Sequence, residues 1–189
     1  MTSIATLPAI GGSTAWQLDP THTEVEFSAR HLMISNVKGR FGNPAGRLSY
    51  DPTRPGSLDF EVTIPVAGVD TRNEQRDAHL RSPDFFDAAN HPTMTFRGKR
   101  VEGDIGGEFR LSGDLTIRGV TRPVTLDVTT EGGGDDPWGN ERLGFSATGR
   151  INRSEFGLKW NQLLETGGVA VSDEIRIIIN AELFRPRSS

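Results

Sequence analysis

The chain has 189 residues, a formal net charge of -4, 22 glycines, 11 prolines and no cysteine. This length suits a single all-β domain, and the glycine and proline content favours many turns over long helices. The lack of cysteine excludes disulfides, thiolate nucleophiles and cysteine metal sites. The acidic balance argues against a nucleic-acid backbone or an anionic membrane surface as the main partner.

Residues 1–14 are predicted to form a flexible N-terminal arm, and residues 15–186 one domain. The arm has no basic n-region, and Thr6 and Pro8 interrupt its apolar part. No stretch approaches the ~18 apolar residues of a membrane span, so no integral membrane segment is expected. We therefore expect a cytoplasmic protein, or a periplasmic or extracellular one if a leader has been removed.

The first predicted strands are residues 15–19 and 22–32, and the second of them sets the pattern for the chain. Mostly apolar side chains occupy its odd positions, namely Thr23, Val25, Phe27, Ala29 and His31. Charged or polar side chains occupy the even positions, which is typical of a strand with one wet face.

The next part of the chain contains one ambiguous region and one clear strand. Residues 37–42 and 46–50 form either one bent strand or two, because the intervening glycines and proline favour a bulge or a turn. Residues 58–66 give the cleanest alternation in the chain.

A helical excursion is predicted after Asp70, where the period of two stops. Residues 71–74 fit a capping box, and good helix formers continue as far as Arg81. Ser82 and Pro83 then end the helix. The excursion is too short to cover a whole sheet.

Alternation returns in four further strands joined by short turns, and in a last strand at residues 174–184. The total is eight or nine antiparallel strands. Since no predicted helix covers their apolar face, the sheet must curl on itself or split into a sandwich. Barrel closure would also remove exposed edges, and about eight strands leave room for packed side chains or for one slim ligand.

No motif for catalysis or metal binding stands out. The histidines at positions 22, 31, 79 and 91 form no HxH or HExxH pattern, and no GxSxG or Walker loop is present. Asp70, Glu74 and Asp77 share a helical spacing that suits acid–base chemistry, but interleaved arginines favour a solvated, salt-bridged helix. We expect no metal and no cofactor.

Several short motifs follow one another in a characteristic order between residues 15 and 184. They include Asp19-Pro20-Thr21-His22-Thr23, Gly39-Arg40-Phe41, Arg76-Asp77-Ala78-His79-Leu80, Asp84-Phe85-Phe86-Asp87, His91-Pro92, Gly113-Asp114-Leu115-Thr116-Ile117-Arg118-Gly119-Val120-Thr121 and Ile151-Asn152-Arg153-Ser154-Glu155-Phe156-Gly157. Together they resemble the YceI-like family of polyisoprenoid-binding proteins. The resemblance implies an all-β fold, an extended lipocalin-like antiparallel β-barrel of about eight strands with a short helical excursion. It also implies an apolar tunnel and, as a possible assembly, a homodimer.

The favoured function is non-enzymatic binding, storage or transport of a long-chain isoprenoid lipid, such as a prenyl quinone or polyprenyl phosphate. The predicted contacts with the lipid chain are Phe27, His31, Phe60, Val62, Ile64, Phe96, Leu111, Leu115, Leu126, Phe145, Trp160 and Ile177. The candidates for the head group are Arg76, His79, Asn152, Arg153 and Asn161.

Two alternatives stay open. One is an enzyme of isoprenoid or quinone metabolism, in which His79 and neighbouring carboxylates such as Asp77 act as acid and base. The other is a structural stress protein with a fully packed barrel and no ligand, because core packing and cavity lining use the same residue types.

Overall fold

The computed structural model of the chain describes residues 15–51, 53, 54, 56–163 and 169–187. The arm predicted at residues 1–14 therefore lies outside the described residues. The described part forms eleven strands, one α-helix and two short 3-10 helices. The strands are β1 (Trp16–Leu18), β2 (Glu24–His31), β3 (Ser35–Phe41), β4 (Ala45–Ser49), β5 (Asp59–Pro65), β6 (Val69–Asp70), β7 (Thr93–Gly103), β8 (Glu108–Ile117), β9 (Val120–Asp135), β10 (Asn140–Asn152) and β11 (Val171–Pro186). The helix α1 is Glu74–Arg81, and the 3-10 helices are Val66–Gly68 and Arg153–Phe156.

Eight of these strands close into an antiparallel barrel in the order β1-β4-β5-β7-β8-β9-β10-β11, with β1 pairing back to β11. The long strand β11 pairs with β10 along one edge and with two different strands along the other. Its C-terminal end pairs with β1 through Leu183 and Phe184, and its N-terminal part pairs with β2. Strands β3 and β6 extend the sheet beyond β2. The predicted barrel is confirmed, and the sandwich alternative is wrong because the eleven strands of the described residues belong to one closed sheet.

The ambiguous region at residues 37–50 forms two strands. Strand β3 pairs with β2, whereas β4 pairs with β1 and β5. Asn43, with a φ of 55°, and the buried Pro44 turn the chain between them. This turn lets β3 stay on the extension of the sheet while β4 enters the barrel.

The inward side chains form two apolar clusters. The larger one runs from the α1 end into the middle of the barrel and includes Phe41, Phe86 and Phe156. The smaller one, around Trp16 and Leu143, closes the opposite end. Trp16 has no exposed surface although its strand has only three residues, so β1 is held by this packing more than by its ladder.

The helix α1 begins later than the capping box predicts. Asn73 is the N-cap and accepts a hydrogen bond from an N–H in the first turn. Thr71 instead donates its N–H and its hydroxyl to the buried Asp77 carboxylate, at 2.9 and 2.6 Å. The predicted capping box is therefore wrong in register, whereas the predicted stop at Ser82 is confirmed. No helix in the described ranges has the length and apolar character needed to cross a membrane.

An ionic cluster around Arg142 ties together the strand ends at the β1 end of the barrel. Its guanidinium donates to Asp19 at 2.9 Å, to Asp136 at 2.8 Å and also to Glu182. Burial by itself would raise the pKa of Asp19, but hydrogen bonds from Thr21, Arg142 and others outweigh it and hold that pKa well below its usual range. Because β1 contributes only three residues to the ladder, this cluster helps to keep the barrel closed.

Candidate functional site

The barrel contains an apolar cavity of about 140 Å³ in its middle. Thr23 is the only polar residue among the twenty described residues that line it, and its hydroxyl accepts a hydrogen bond from the Glu182 N–H. The lining consists of Leu18, Thr23, Val25, Leu48, Leu58, Phe60, Val62, Ile64, Phe96, Val101, Ile105, Phe109, Leu111, Leu126, Val128, Phe145, Ala147, Ile179, Ala181 and Leu183. The interior is therefore not fully packed.

Two inward-facing glycines let large side chains lie across the barrel wall. A Cβ on Gly98 of β7 would meet the Phe60 ring at 3.1 Å and a Leu111 methyl at 3.2 Å. A Cβ on Gly149 of β10 would meet a Leu126 methyl at 2.6 Å. These side chains occupy the space that the glycines leave and so form the cavity wall.

A second pocket, the mouth pocket, opens where the β2–β3 hairpin meets α1. Its volume is about 470 Å³. Unlike the cavity, it combines apolar side chains with charged and polar ones. It is lined by Phe27, Ala29, Arg30, His31, Val37, Thr71, Asn73, Gln75, Arg76, His79, Leu80, Phe85, Trp160, Gln162, Ala170 and Val171.

Aromatic rings form one side of the mouth pocket. The His79 ring packs edge-on against Phe85 and Trp160, with centroids 5.1 and 4.7 Å apart. His79 Nε2 also lies 2.9 Å from a carboxylate oxygen of Asp84. The imidazole is thus held on three sides and presents a fixed polar group at the mouth.

Two phenylalanine rings separate the mouth pocket from the cavity. Phe27 lines the mouth pocket, whereas Val25, two residues earlier on the same face of β2, lines the cavity. The Phe27 and Phe41 centroids lie 5.4 Å apart, and Phe41 packs edge-on against Phe86 at 5.5 Å. The Phe27 ring lies over Gly39, where any Cβ would collide with it. We therefore expect a lipid chain that joins the two spaces to displace the Phe27 and Phe41 rings.

The structure divides the twelve predicted lipid contacts into three groups. Seven line the cavity, namely Phe60, Val62, Ile64, Phe96, Leu111, Leu126 and Phe145. Phe27, His31 and Trp160 line the mouth pocket. Leu115 and Ile177 line neither space. Leu115 is buried in the larger core cluster, and Ile177 is half-buried opposite Phe27. Contact with a lipid stays a prediction for all of them.

Sequence reasoning missed cavity residues on two short strands. Leu18 on β1 and Leu48 on β4 line the cavity, but three and five residues of strand give too little alternation to identify a face. Ile105 was missed for another reason, because it lies in the loop between β7 and β8 and belongs to no strand.

Of the five head-group candidates, only Arg76 and His79 line the mouth pocket. Arg76 donates to the Thr71 hydroxyl at 2.7 Å and to the Thr71 carbonyl at 2.8 Å, which fixes its guanidinium at the pocket wall. Both residues share this pocket with the predicted contacts His31 and Trp160.

The other three candidates are engaged in holding the chain near the mouth. Asn152 caps the second 3-10 helix through the Ser154 N–H. Arg153 is buried and donates to the carbonyl oxygens of neighbouring segments, among them that of Trp160 at 2.8 Å. Asn161 makes two hydrogen bonds to the backbone of Val171. These contacts stabilise the mouth, and a head-group role for the three residues stays a prediction.

The predicted acidic residues of the helical segment do not converge. Asp70 pairs with Arg40 at 3.0 Å, and Asp77 is buried against Thr71. The His79–Asp77 pair considered for an enzyme does not form, because the carboxylate beside His79 belongs to Asp84.

Asp19, His22 and Glu182 bring three ligand atoms within 4.8 Å of one another, a geometry that could hold a metal ion. The Arg142 guanidinium donates to both carboxylates. It already supplies the positive charge that such a ligand set attracts, so we assign no metal to it.

The fold and the site define a class of protein, a closed antiparallel β-barrel with an apolar interior and a polar mouth. The YceI-like domain model matches residues 16–183. The chain is 40% identical over 161 residues to the protein YceI of Escherichia coli O157:H7, covering 85% of this chain and 81% of that one. The chain belongs to the YceI-like family, so the predicted resemblance is confirmed.

Solved structures share the fold. A YCEI protein of Campylobacter jejuni matches with a TM-score of 0.64 and 34% identity, covering 85% of this chain and 90% of that chain. A polyisoprenoid binding domain from Saccharophagus degradans, implicated in plant cell wall breakdown, matches with a TM-score of 0.66 over 92% of this chain and 100% of that one. At 17% identity this second likeness shows the fold alone.

Proposed function

We propose that this protein binds and carries a long-chain isoprenoid lipid, of the prenyl quinone or polyprenyl phosphate type, without transforming it. The observation that supports the proposal most strongly is the apolar lining of the cavity. Thr23, the one polar side chain among the described lining residues, is already hydrogen-bonded, so the cavity favours hydrocarbon over any polar solute. Membership of the YceI-like family and the shared fold of the polyisoprenoid binding domain support this class of ligand.

The two spaces limit how such a chain lies. An apolar cavity of ~150 Å³ accommodates a benzene-sized molecule, so the cavity of about 140 Å³ takes about one five-carbon unit as it stands. The mouth pocket, at about 470 Å³, accommodates more of the chain. A longer ligand passes from one space to the other only when Phe27 and Phe41 rotate aside, which selects for slim chains.

The energetics are sufficient for useful affinity. Each buried five-carbon unit contributes roughly 4 kcal/mol gross, at about 0.8 kcal/mol per CH₂. Three units therefore contribute roughly 12 kcal/mol, against the ~8 kcal/mol of a micromolar complex. The difference offsets the ordering of the chain and the rotation of the two rings.

We place the head group in the mouth pocket. Arg30, Arg76 and His79 line it and can donate hydrogen bonds to phosphate or carbonyl oxygens. The aromatic faces of Phe85 and Trp160 would pack on the first carbons of the chain.

We propose carriage in preference to catalysis because none of the described residues that line the cavity carries a titratable group. The His79–Asp84 hydrogen bond favours one second candidate, an enzyme that acts on the head group, since an imidazole oriented by a carboxylate is a common general base. Under that function the head group would be converted, whereas a carrier releases it unchanged.

Organic extraction of the purified protein followed by mass spectrometry tests the proposal. We expect an intact isoprenoid lipid at about one per chain. The Phe60→Trp variant should lose it, because the larger ring fills the cavity. Phe184→Trp is the matched control, since Phe184 points outward beneath Arg142 and its enlargement should leave the lipid in place. A converted head group would support the enzyme, and a lipid-free wild-type protein would reject carriage.

A further inference from the structure

The exposed apolar side chains of the barrel are concentrated at its mouth. Five large apolar residues are exposed in the described part of the chain, and four of them stand there. These four form what we call the apolar rim, which consists of Leu32, Met33, Ile34 and Leu163, with 36%, 55%, 79% and 83% exposure. The fifth, Trp138, lies in the β9–β10 turn at the opposite end.

Backbone hydrogen bonds bring the two parts of the apolar rim together. The Leu32 N–H donates to the Ala170 carbonyl at 2.9 Å, and the Ala170 N–H donates to the Gln162 carbonyl at 3.0 Å. Leu163 follows Gln162 and bridges to Val169. The β2–β3 turn and the segment that carries Leu163 are therefore two inter-strand spacings apart, at ~4.8 Å per spacing.

The β2–β3 turn presents apolar residues where turn chemistry disfavours them. Leu32 and Met33 have φ values of 51° and 60°, and the Ile34 N–H closes the turn onto the His31 carbonyl. Asn and Gly normally occupy these central positions, because larger side chains are strained at positive φ. A sequence selected only for a stable turn would not place two large apolar residues here, so their exposure points to contact with an apolar phase.

Among the described residues, the charges that flank the apolar rim are mostly positive, although the whole chain carries -4. Arg30 and Lys38 are exposed on the β2–β3 hairpin, and Lys159 is exposed just before the second part of the rim. The hairpin has no carboxylate from Phe27 to Phe41. On the adjacent start of β11, Asp173 pairs with Arg153 and Glu174 with Arg150.

We propose that the apolar rim docks on an anionic lipid bilayer, inserting its side chains at the level of the head groups while the flanking cations contact lipid phosphates. Exposed apolar side chains flanked by cationic ones are the combination that binds the head-group region of anionic membranes. The mouth pocket lies directly behind the rim, since His31, Gln162 and Ala170 line it. Docking thus sets the entrance of the barrel against the membrane. This proposal rests on the proposed function, because it names the source of the cargo.

Co-flotation with phosphatidylcholine vesicles, with and without phosphatidylglycerol, tests the docking. Wild-type protein should float with the mixed vesicles, more weakly at high salt. Ile34→Asp and Leu163→Asp should each weaken this partitioning about tenfold, since each removes one inserted aliphatic side chain. Lys38→Ala should weaken it about fivefold on mixed vesicles and leave it unchanged on phosphatidylcholine alone.

Trp138→Ser is the matched control, because it removes an equally exposed apolar residue at the other end of the barrel. It should leave flotation unchanged. Loss of flotation in this control, or its retention in Ile34→Asp, overturns the proposal. So does a change from dimer to monomer in Ile34→Asp with vesicle binding intact, which would make the rim a subunit interface.

Mass spectrometry of extracted lipid, run on the same variants, separates this proposal from carriage. Lipid content that survives in Ile34→Asp while flotation is lost supports docking. A protein that never contains lipid rejects carriage, whatever its flotation. Wild-type protein that contains lipid but does not float rejects docking alone.

Discussion

Replacing Ala147 by leucine distinguishes a hollow barrel from a packed one by the sign of the stability change. Ala147 lies on β10, is 8% exposed and lines the cavity. Leucine adds three carbons, which the space of about 140 Å³ can accept. Their burial contributes roughly 2.4 kcal/mol, and fixing the side chain costs about 0.5–1 kcal/mol. We therefore expect lipid-free Ala147→Leu to be more stable by about 1.5 kcal/mol.

Urea unfolding and thermal melting of extracted protein measure this change. A gain of about 1.5 kcal/mol corresponds to a melting temperature higher by about 3–6 °C for a domain of this size. Binding of a prenyl chain should weaken about fifty-fold, because leucine occupies space worth roughly the same 2.4 kcal/mol to the ligand.

The control is Val66→Phe, which adds bulk at a position only 1% exposed within the larger core cluster. Overpacking there should cost about 1–3 kcal/mol. If Ala147→Leu lost stability in the same way, the interior would be close-packed and the reasoning from the cavity would be wrong. Unchanged lipid binding in Ala147→Leu would place the ligand elsewhere.

Three further predictions concern one residue of the mouth pocket and two carboxylates that stabilise the fold. Asp77→Asn should lower stability by about 2 kcal/mol in urea unfolding, because it weakens two hydrogen bonds from Thr71 to a buried carboxylate, yet leave lipid content unchanged. His79→Phe should weaken binding of a head-group-bearing lipid about fivefold and leave a plain hydrocarbon unaffected in competition assays, because the lost hydrogen bond is worth about 1 kcal/mol. The pKa of Asp136 is depressed; burial opposes this shift, but hydrogen bonds from Asn140, Arg142 and others outweigh it. The ionised Asp136 carboxylate therefore stabilises the fold above a pH of about 3.9, the pKa of an aspartate in the unfolded chain. This stabilisation is lost as the pH falls further. Asp136→Asn should consequently be less stable than wild type at pH 7, and the difference in urea midpoint should shrink under acid.

The barrel could be predicted from sequence because its long strands repeat one signal. Phe60, Val62 and Ile64 alternate with polar residues on β5, and the structure turns all three toward the cavity. Periodicity shows which side chains point inward, however, and does not show whether they line a cavity or pack against one another. Leu111 and Leu115 share the same inward pattern and the same core cluster, yet only Leu111 lines the cavity.

The mouth was harder to predict because tertiary contacts build it. Arg153 follows a strand and has the chemistry of a head-group ligand, but carbonyl oxygens up to 19 residues away occupy its guanidinium. Thr71 likewise fits an N-cap locally, and the buried Asp77 takes its hydrogen bonds. In both cases a long-range or buried partner outweighs the local signal.

The position of the bound hydrocarbon tests the central claim most directly. A crystal structure with a prenyl chain brominated at its far end would locate that end by anomalous scattering. We predict bromine density inside the barrel, between Phe60, Leu126 and Phe145. Bromine on the outer surface, or a cavity left empty in crystals that contain stoichiometric lipid, would contradict the proposed binding site.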